Sequence, residues 1–167
     1  WNIQPQENPI LKGHTAYVVD ANFSPDGKYI ATAGSDYTAR LWEKSGKLLH
    51  IFKGHTHYGV VGSQFIKDSS LIITYSVDGT MRLWNFEGKQ LRIIEPHDYS
   101  SQLYFTNYDK NLFIITSYDD TLRLRDTSNK VLQIFSKTSI GNFSPDGNYI
   151  VTLTNDSSLY FWRYTGQ

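Results

Sequence analysis

The chain has 167 residues, with Lys+Arg and Asp+Glu both at 16, so its formal net charge is zero. It has no cysteine, which excludes disulfides and thiolate metal sites, and no basic excess of the kind a duplex-binding domain carries. Its longest apolar run falls well short of the roughly 18 residues of a membrane-spanning helix, and no signal peptide is visible.

The first strongly patterned stretch alternates over residues 17–23 and runs into Ser24-Pro25-Asp26-Gly27. Pro25 presets φ at the first corner, and Gly27 can take the positive φ that closes a hairpin. Strands are predicted at 17–23, 29–33, 38–42 and 48–52, with turns at Asp36-Tyr37 and at Lys44-Ser45-Gly46-Lys47. The layout returns at 59–65, 71–75, 80–84 and 89–94, where the first turn is Ile66-Lys67-Asp68-Ser69 without proline. It returns again at 101–105, 112–116, 121–125 and 130–135. A fourth copy has a short lead-in at 136–140, the turn Ser144-Pro145-Asp146-Gly147, and strands at 149–154 and 158–162. Short strands at this spacing, with no helical periodicity, predict an all-β chain.

Three markers set the period. His14, His55 and His97 are 41 and 42 residues apart. Trp42, Trp84 and Arg125 are 42 and 41 apart, and Trp162 follows after 37. Phe23, Phe65, Phe105 and Phe143 keep the same beat. Such a period is the signature of a repeat architecture.

Gly13-His14, Phe23-Ser24-Pro25-Asp26-Gly27, Asp36 and Leu41-Trp42 together resemble the WD40 repeat family, over nearly the whole chain. The resemblance implies a β-propeller, each repeat supplying one four-stranded blade. The expected divisions are a fourth strand of a preceding or closing blade at 1–12, blade one at 13–53, blade two at 54–94, blade three at 95–135 and an incomplete blade four at 136–167. Trp1 lies 13 residues before His14, as Trp42 does before His55 and Trp84 before His97, so it is expected to close the third strand of a preceding blade. This out-of-phase cut resembles the family's ring-closing strand overlap. With about seven blades usual in the family, three arrangements are open: part of a longer propeller, a homodimer closing an eight-bladed ring, or a single four-bladed ring.

The resemblance also implies that the Gly-His histidine, a strand hydroxyl, the turn Asp and the third-strand Trp form one hydrogen-bonded network in each blade. Trp only donates, Asp only accepts, and hydroxyl and imidazole do both, so buried together each needs the others. The members are His14, Thr32, Asp36 and Trp42 in blade one, and His55, Asp78 and Trp84 with Thr74 or Ser76 in blade two. Blade three offers His97, Ser117 and Asp119, with Arg125 in the Trp place. Blade four offers Asp156 and Trp162 with Thr152 or Thr154, and no His.

A hydrolytic triad contains the same residue types as this set. The set recurs in every blade, however, and neither a G-x-S-x-G turn nor an oxyanion loop accompanies it. Gly34, Gly54 and Gly59 stand apart and make no phosphate loop, and His55-Thr56-His57 alone is a weak zinc motif. No catalytic residue, metal site or cofactor is expected. Arg40, Arg82 and Arg123, each two residues before the Trp position, are expected to face outward, balanced by neighbouring acids.

Partner-binding residues are sought among tyrosines. Tyr17, Tyr58 and Tyr99 follow the histidines and open the inner strand of each blade, and Tyr118 precedes a turn Asp. With Asp20 and Asp120 they make a candidate rim for a protein or peptide partner, rather than for nucleic acid or membrane. The expected function is a non-catalytic binding scaffold. The alternative is a ligand-sensing or autoinhibitory module of a larger signalling protein, an expectation that the start at Trp1 rather than Met favours. A cytoplasmic setting is the accompanying expectation.

Overall fold

The computed structural model of the chain describes residues 10–57, 59–66, 70–94, 107–108, 112–116, 120–126 and 128–165. They are all-β. Strands β1 (Val18–Phe23), β2 (Tyr29–Gly34), β3 (Thr38–Glu43) and β4 (Leu48–Lys53) form one antiparallel sheet in chain order. The second sheet is β5 (Val60–Ile66), β6 (Leu71–Ser76), β7 (Met81–Asn85) and β8 (Gln90–Ile94). The third is β9 (Asn107–Tyr108), β10 (Leu112–Thr116), β11 (Thr121–Asp126) and β12 (Val131–Ser136), and the fourth is β13 (Thr138–Phe143), β14 (Tyr149–Thr154) and β15 (Leu159–Arg163). Each sheet is an up-and-down meander, the arrangement of a propeller blade.

Turn chemistry sets the hairpins. Gly27 and Gly147 have φ of 68° and 64°, and each donates its N–H to the carbonyl of the turn serine at 2.8 Å. Ser24 and Ser144 also bridge to Asp26 and Asp146, so the side chains repeat the backbone closure. Two irregularities recur. The first strand bulges at Val18/Asp20, Val60/Gly62 and Thr138/Ile140, and the fourth carries an extra residue opposite Leu41/Trp42, Leu83/Trp84 and Leu124/Arg125. A bulge adds local twist, so equal bulges give the sheets a common shape for stacking.

The third sheet departs from the beat. Its predicted first strand at 101–105, with Phe105, lies outside the described residues. The described strand β9 comes later, and it places Asn107 opposite Phe113 where Phe23 stands opposite Ile30. The fourth sheet has three strands, and the first of them, β13, ends at Phe143 on the beat of Phe23 and Phe65.

Each sheet has two different faces because strand side chains alternate. In the first sheet one face carries Ala31, Ala33, Ala39, Leu41 and Phe52, and it packs against Val60, Phe65, Ile72 and Trp84 of the second. Phe52 and Trp84 meet with ring centroids 5.2 Å apart. The third and fourth sheets repeat the contact, Phe135 meeting Trp162 at 5.1 Å with Leu122, Leu124 and Ile150 around it. Burying one such ring is worth roughly 1.5–3 kcal/mol, so the seams dominate the packing.

Among the described residues, nothing of this kind covers the outermost faces. Phe23 is 67% exposed although its counterpart Phe65 is 8% exposed. Leu159 and Phe161 of β15 are 72% and 71% exposed, although Met81 and Leu83 at the same register are buried.

Candidate functional site

The sequence-selected polar residues converge in the first sheet. Trp42 Nε1–H donates to Thr32 Oγ1 at 2.9 Å, and Thr32 Oγ1 lies 2.8 Å from His14 Nε2. His14 Nδ1 lies 2.9 Å from Asp36 Oδ2. The indole can only donate and the carboxylate can only accept, so with a neutral imidazole the relay runs one way: Thr32 donates its proton to Nε2, and Nδ1–H goes to Asp36. The second sheet has the same relay, from Trp84 through Thr74 and His55 to Asp78, at 2.9, 2.8 and 2.9 Å. Thr74, rather than Ser76, is therefore the hydroxyl. Ser76 bonds the Gly59 carbonyl at 2.6 Å.

Asp36 also organises its turn. Its Oδ1 accepts Thr38 N–H and the Thr38 hydroxyl, and its Oδ2 accepts Thr15 N–H. Burial opposes its ionisation, but the hydrogen bonds from Thr38, His14 and Thr15 outweigh burial and hold the carboxyl down to about 2. Asp78 is lowered in the same way, burial being overcome by Thr80 and His55. His55 is also pushed below its ordinary value, because burial disfavours the imidazolium more than Asp78 favours it. That agrees with the neutral ring the relay requires.

The arginines correct the outward-facing expectation. Arg40 is buried, pairs with Asp36 at 3.4 Å and lies 6.0 Å from the Trp42 ring centroid. The register sets Arg40 opposite Thr32, so it shares the relay face, where the Gly-His segment covers it. The Gly of each Gly-His pair makes room for it. A Cβ at Gly13 would lie 2.1 Å from Arg40 Nη1, and one at Gly54 would lie 2.4 Å from Arg82 Nη1. Arg82 donates to Gln90 at 2.7 Å. Gly-His and the later Arg-x-Trp are therefore one packing unit, a coupling that the shared spacing in two repeats could have signalled.

In the third sheet, His97, Ser117 and Asp119 lie outside the described residues. Strand pairing places Ile115 opposite Arg123, where Thr32 stands opposite Arg40, so the hydroxyl position of this sheet holds no hydroxyl. Arg125, in the Trp place, is buried and bonds the Asn129 carbonyl and side-chain oxygen at 3.2 and 3.0 Å. Hydroxyl and indole are lost together, as expected of groups that satisfy each other.

In the fourth sheet Trp162 donates to Thr152 at 2.9 Å, so Thr152 is the hydroxyl, while Thr154 bonds Asp156 at 2.5 Å. The absence of His has a backbone cause. Strands β4 and β5 are separated by residues 54–59, whereas only Lys137 separates β12 from β13.

On the rim, Tyr17 is 85% exposed, and its carbonyl accepts Ser35 N–H at 2.8 Å beside the Asp36 turn. Tyr37, in that turn with φ of 65°, and Val77 are exposed on the same rim and were not selected from sequence. Tyr58, Tyr99 and Tyr118 lie outside the described residues. Asp20 is placed elsewhere. Its carboxylate accepts Ser63 N–H at 2.8 Å and Asn22 Nδ2–H at 2.9 Å, and Asn22 also donates to the Ser63 carbonyl. This ties β1 to β5 across the seam, so Asp20 is a tether between sheets and not a rim group. Asp120 is exposed, with φ of 57°.

The order Thr–His–Asp has the look of a nucleophile relay, but Thr32 and Thr74 are buried and their oxygens already accept an indole N–H. A substrate carbonyl has no approach to either. Among the described residues no group of three His, Asp or Glu side chains has metal-holding geometry.

Two measurements follow from the relay. Thr32→Val or Thr74→Val leaves both an indole donor and an imidazole acceptor unpaired in the interior, and is expected to cost about 1–3 kcal/mol in urea unfolding. Thr152→Val, with no histidine to orphan, is expected to cost less. The pH dependence has one sign. Asp36, Asp78 and His55 all have folded pKa values below their unfolded ones, so the unfolded chain binds more protons as pH falls. The melting temperature is expected to fall below about pH 6.5 as unfolded His55 protonates, and again between about 3.8 and 2 through Asp36. Asp36→Asn should flatten part of the second fall, and a melting temperature level from pH 7 to 3 would contradict this account.

The sequence profile of the WD domain, G-beta repeat, matches residues 6–43, 46–85 and 130–163. Most of the third repeat, with Ile115 and Arg125, falls between the matched segments. The chain is 40% identical to the Notchless protein homolog of Arabidopsis thaliana over 55 residues, which are 32% of this chain and 12% of that protein. It is 54% identical to nuclear distribution protein PAC1 of Arthroderma otae over 35 residues, 21% of this chain and 8% of that one. It is 48% identical to the uncharacterized WD repeat-containing protein alr2800 of Nostoc over 42 residues, 25% of this chain and 3% of that one. The chain thus spans only a small part of these relatives. The crystal structure of the computationally designed Ika4 protein matches its fold with a TM-score of 0.75 at 23% identity, covering 96% of this chain and 99% of that one. With the profile spanning more than half of its residues and a relay of the expected members in its first two sheets, this chain belongs to the WD40 repeat family.

Proposed function

We propose that the chain is a non-catalytic scaffold that docks a protein or peptide partner on the rim bearing Tyr17. The single observation behind this reading is the exposure of Tyr17, at 85%, on a loop held by hydrogen bonds. Thr15 N–H is tied to Asp36 and the Tyr17 carbonyl to Ser35, so the ring projects from backbone that is already ordered. A rigid aromatic group loses little entropy on binding and presents a large apolar surface. Tyr37 and Val77 extend the apolar character along the rim. Tyr17→Ala with Tyr37→Ala is expected to weaken capture of a partner by tenfold or more and leave the melting temperature within a degree or two. Unchanged affinity would remove the rim from consideration.

A second reading concerns completion of the propeller and is favoured by the bare Phe23, Leu159 and Phe161. Their counterparts are covered by adjoining sheets, so blades of the same kind suit both open faces, from a second copy closing an eight-bladed ring or from further blades of a parent chain. Sedimentation separates the two. The dimer predicts twice 19.2 kDa, reverting to monomer in Phe161→Glu. A monomer with a cooperative melt excludes the dimer and leaves the parent chain to supply the cover.

A further inference from the structure

At the seam between the first and second sheets, on the end away from Tyr17, an open cavity of about 340 Å³ is lined by Pro25, Asp26, Tyr29, Phe65, Ser70 and Phe86 among others. That volume lies at the small end of the usual range for ligand pockets. Both sheets build it. The turn Ser24-Pro25-Asp26-Gly27 closes the β1–β2 hairpin of the first sheet, and Tyr29 opens β2. Phe65 comes from β5 of the second sheet. Phe86 follows β7, its N–H bonded to the Ser70 carbonyl at 3.2 Å.

Three of the lining groups are aromatic rings. Phe86 stands at 73° to Tyr29, with centroids 5.2 Å apart, and at 75° to Phe65, with centroids 5.7 Å apart. The rings are therefore walls set at steep angles and not one flat stack. Tyr29 and Phe86 are half-buried, and Phe65 is buried. Among the described residues Asp26 is the one charged group in the lining. Its Oδ1 accepts the Ser24 hydroxyl at 2.7 Å and Lys28 N–H at 3.1 Å. These bonds fix the carboxylate in place and hold its pKa below the ordinary value. Its Oδ2 is paired with Lys28 Nζ at 3.3 Å, an exposed contact that another cation displaces easily.

Aromatic rings attract a cation through their quadrupoles, and a carboxylate at the mouth favours the same sign of charge. We propose that this cavity binds a quaternary ammonium group, its methyls against Tyr29, Phe65 and Phe86 and its charge towards Asp26. Such a group joins apolar surface to a permanent charge and carries no N–H. A primary ammonium suits the lining less, because its three N–H groups need acceptors and the walls are mostly carbon. The fourth sheet repeats the turn as Ser144-Pro145-Asp146-Gly147 with Tyr149, but there Tyr149 stacks on Phe161 at 4.9 Å and 28°. Among the described residues no following sheet supplies the other rings, so the seam and not the turn makes the site. It lies apart from Tyr17 and stands whether or not the rim docks a partner.

The test is a two-dimensional NMR titration of the chain at pH 7, following the ring resonances of Tyr29 and Phe86. Choline is expected to shift them saturably. Its uncharged isostere, with carbon in place of nitrogen, should bind at least tenfold more weakly. Phe86→Leu keeps apolar volume but removes a ring, and should weaken choline tenfold or more, while Tyr29→Phe retains it. Asp26→Asn should weaken choline several-fold, and Asp146→Asn, the same change in the fourth sheet, should leave it unaltered. The isostere and the Asp26→Asn arms hold even where Phe86→Leu fails to fold. A blocked trimethyl-lysine that binds more tightly than choline assigns the group to a polypeptide, and the reverse order assigns it to a small molecule. Absence of any saturable shift, equal binding of the isostere, or equal weakening by Asp26→Asn and Asp146→Asn overturns the proposal.

Discussion

The structure depends on a one-way chain of hydrogen bonds from indole to hydroxyl to imidazole to carboxylate. With a neutral imidazole its ends fix its direction, since Trp42 has no acceptor and Asp36 no donor. Each link is 2.8–2.9 Å long and removed from water, so every member depends on its neighbours. The relay joins the third strand, the second strand, the segment before the first strand and the β2–β3 turn. Four pieces distant in sequence are thereby held in one geometry, and the rim loops inherit their order from it.

The relay also explains how repeats change. In the third sheet two of its members change together. The third sheet has Arg125 for the indole and Ile115 at the hydroxyl position. The fourth lacks the Gly-His segment and, with it, the arginine that lies across that glycine in the other sheets. A buried donor left without its acceptor is costly, so paired loss is the less damaging route. Where the pair removed was Gly-His and Arg, Asp156 and Trp162 line an open cavity.

Between sheets, apolar packing takes over. A face of small and aliphatic residues with one phenylalanine meets the tryptophan of the next sheet, as Phe52 with Trp84 and Phe135 with Trp162 show. Such asymmetric faces stack in one direction only and leave a different face open at each end. The tether from Asp20 to Ser63 adds polar registration to the first seam, where β1 and β5 run side by side.

The period, the turns and the relay members of the first two repeats were legible in the residues themselves, because they are set by spacing and by local chemistry. Pro25 and Gly27 dictate a hairpin wherever the chain goes, and a Trp and an Asp that recur with a His announce complementary donors and acceptors. What the residues left open was position along a face and which face is covered. Thr74 and Ser76 are two residues apart, equally polar and on one face, yet strand pairing brings only Thr74 within reach of the Trp84 indole. Arg40 read as a solvated charge and Asp20 as a rim acid, but Arg40 lies under the Gly-His segment and pairs with Asp36, and Asp20 is bonded to Ser63 of the next sheet. The alternation of a strand tells which residues share a face. Which face becomes interior is decided by the sheet that packs on it, and that is a property of the tertiary structure alone.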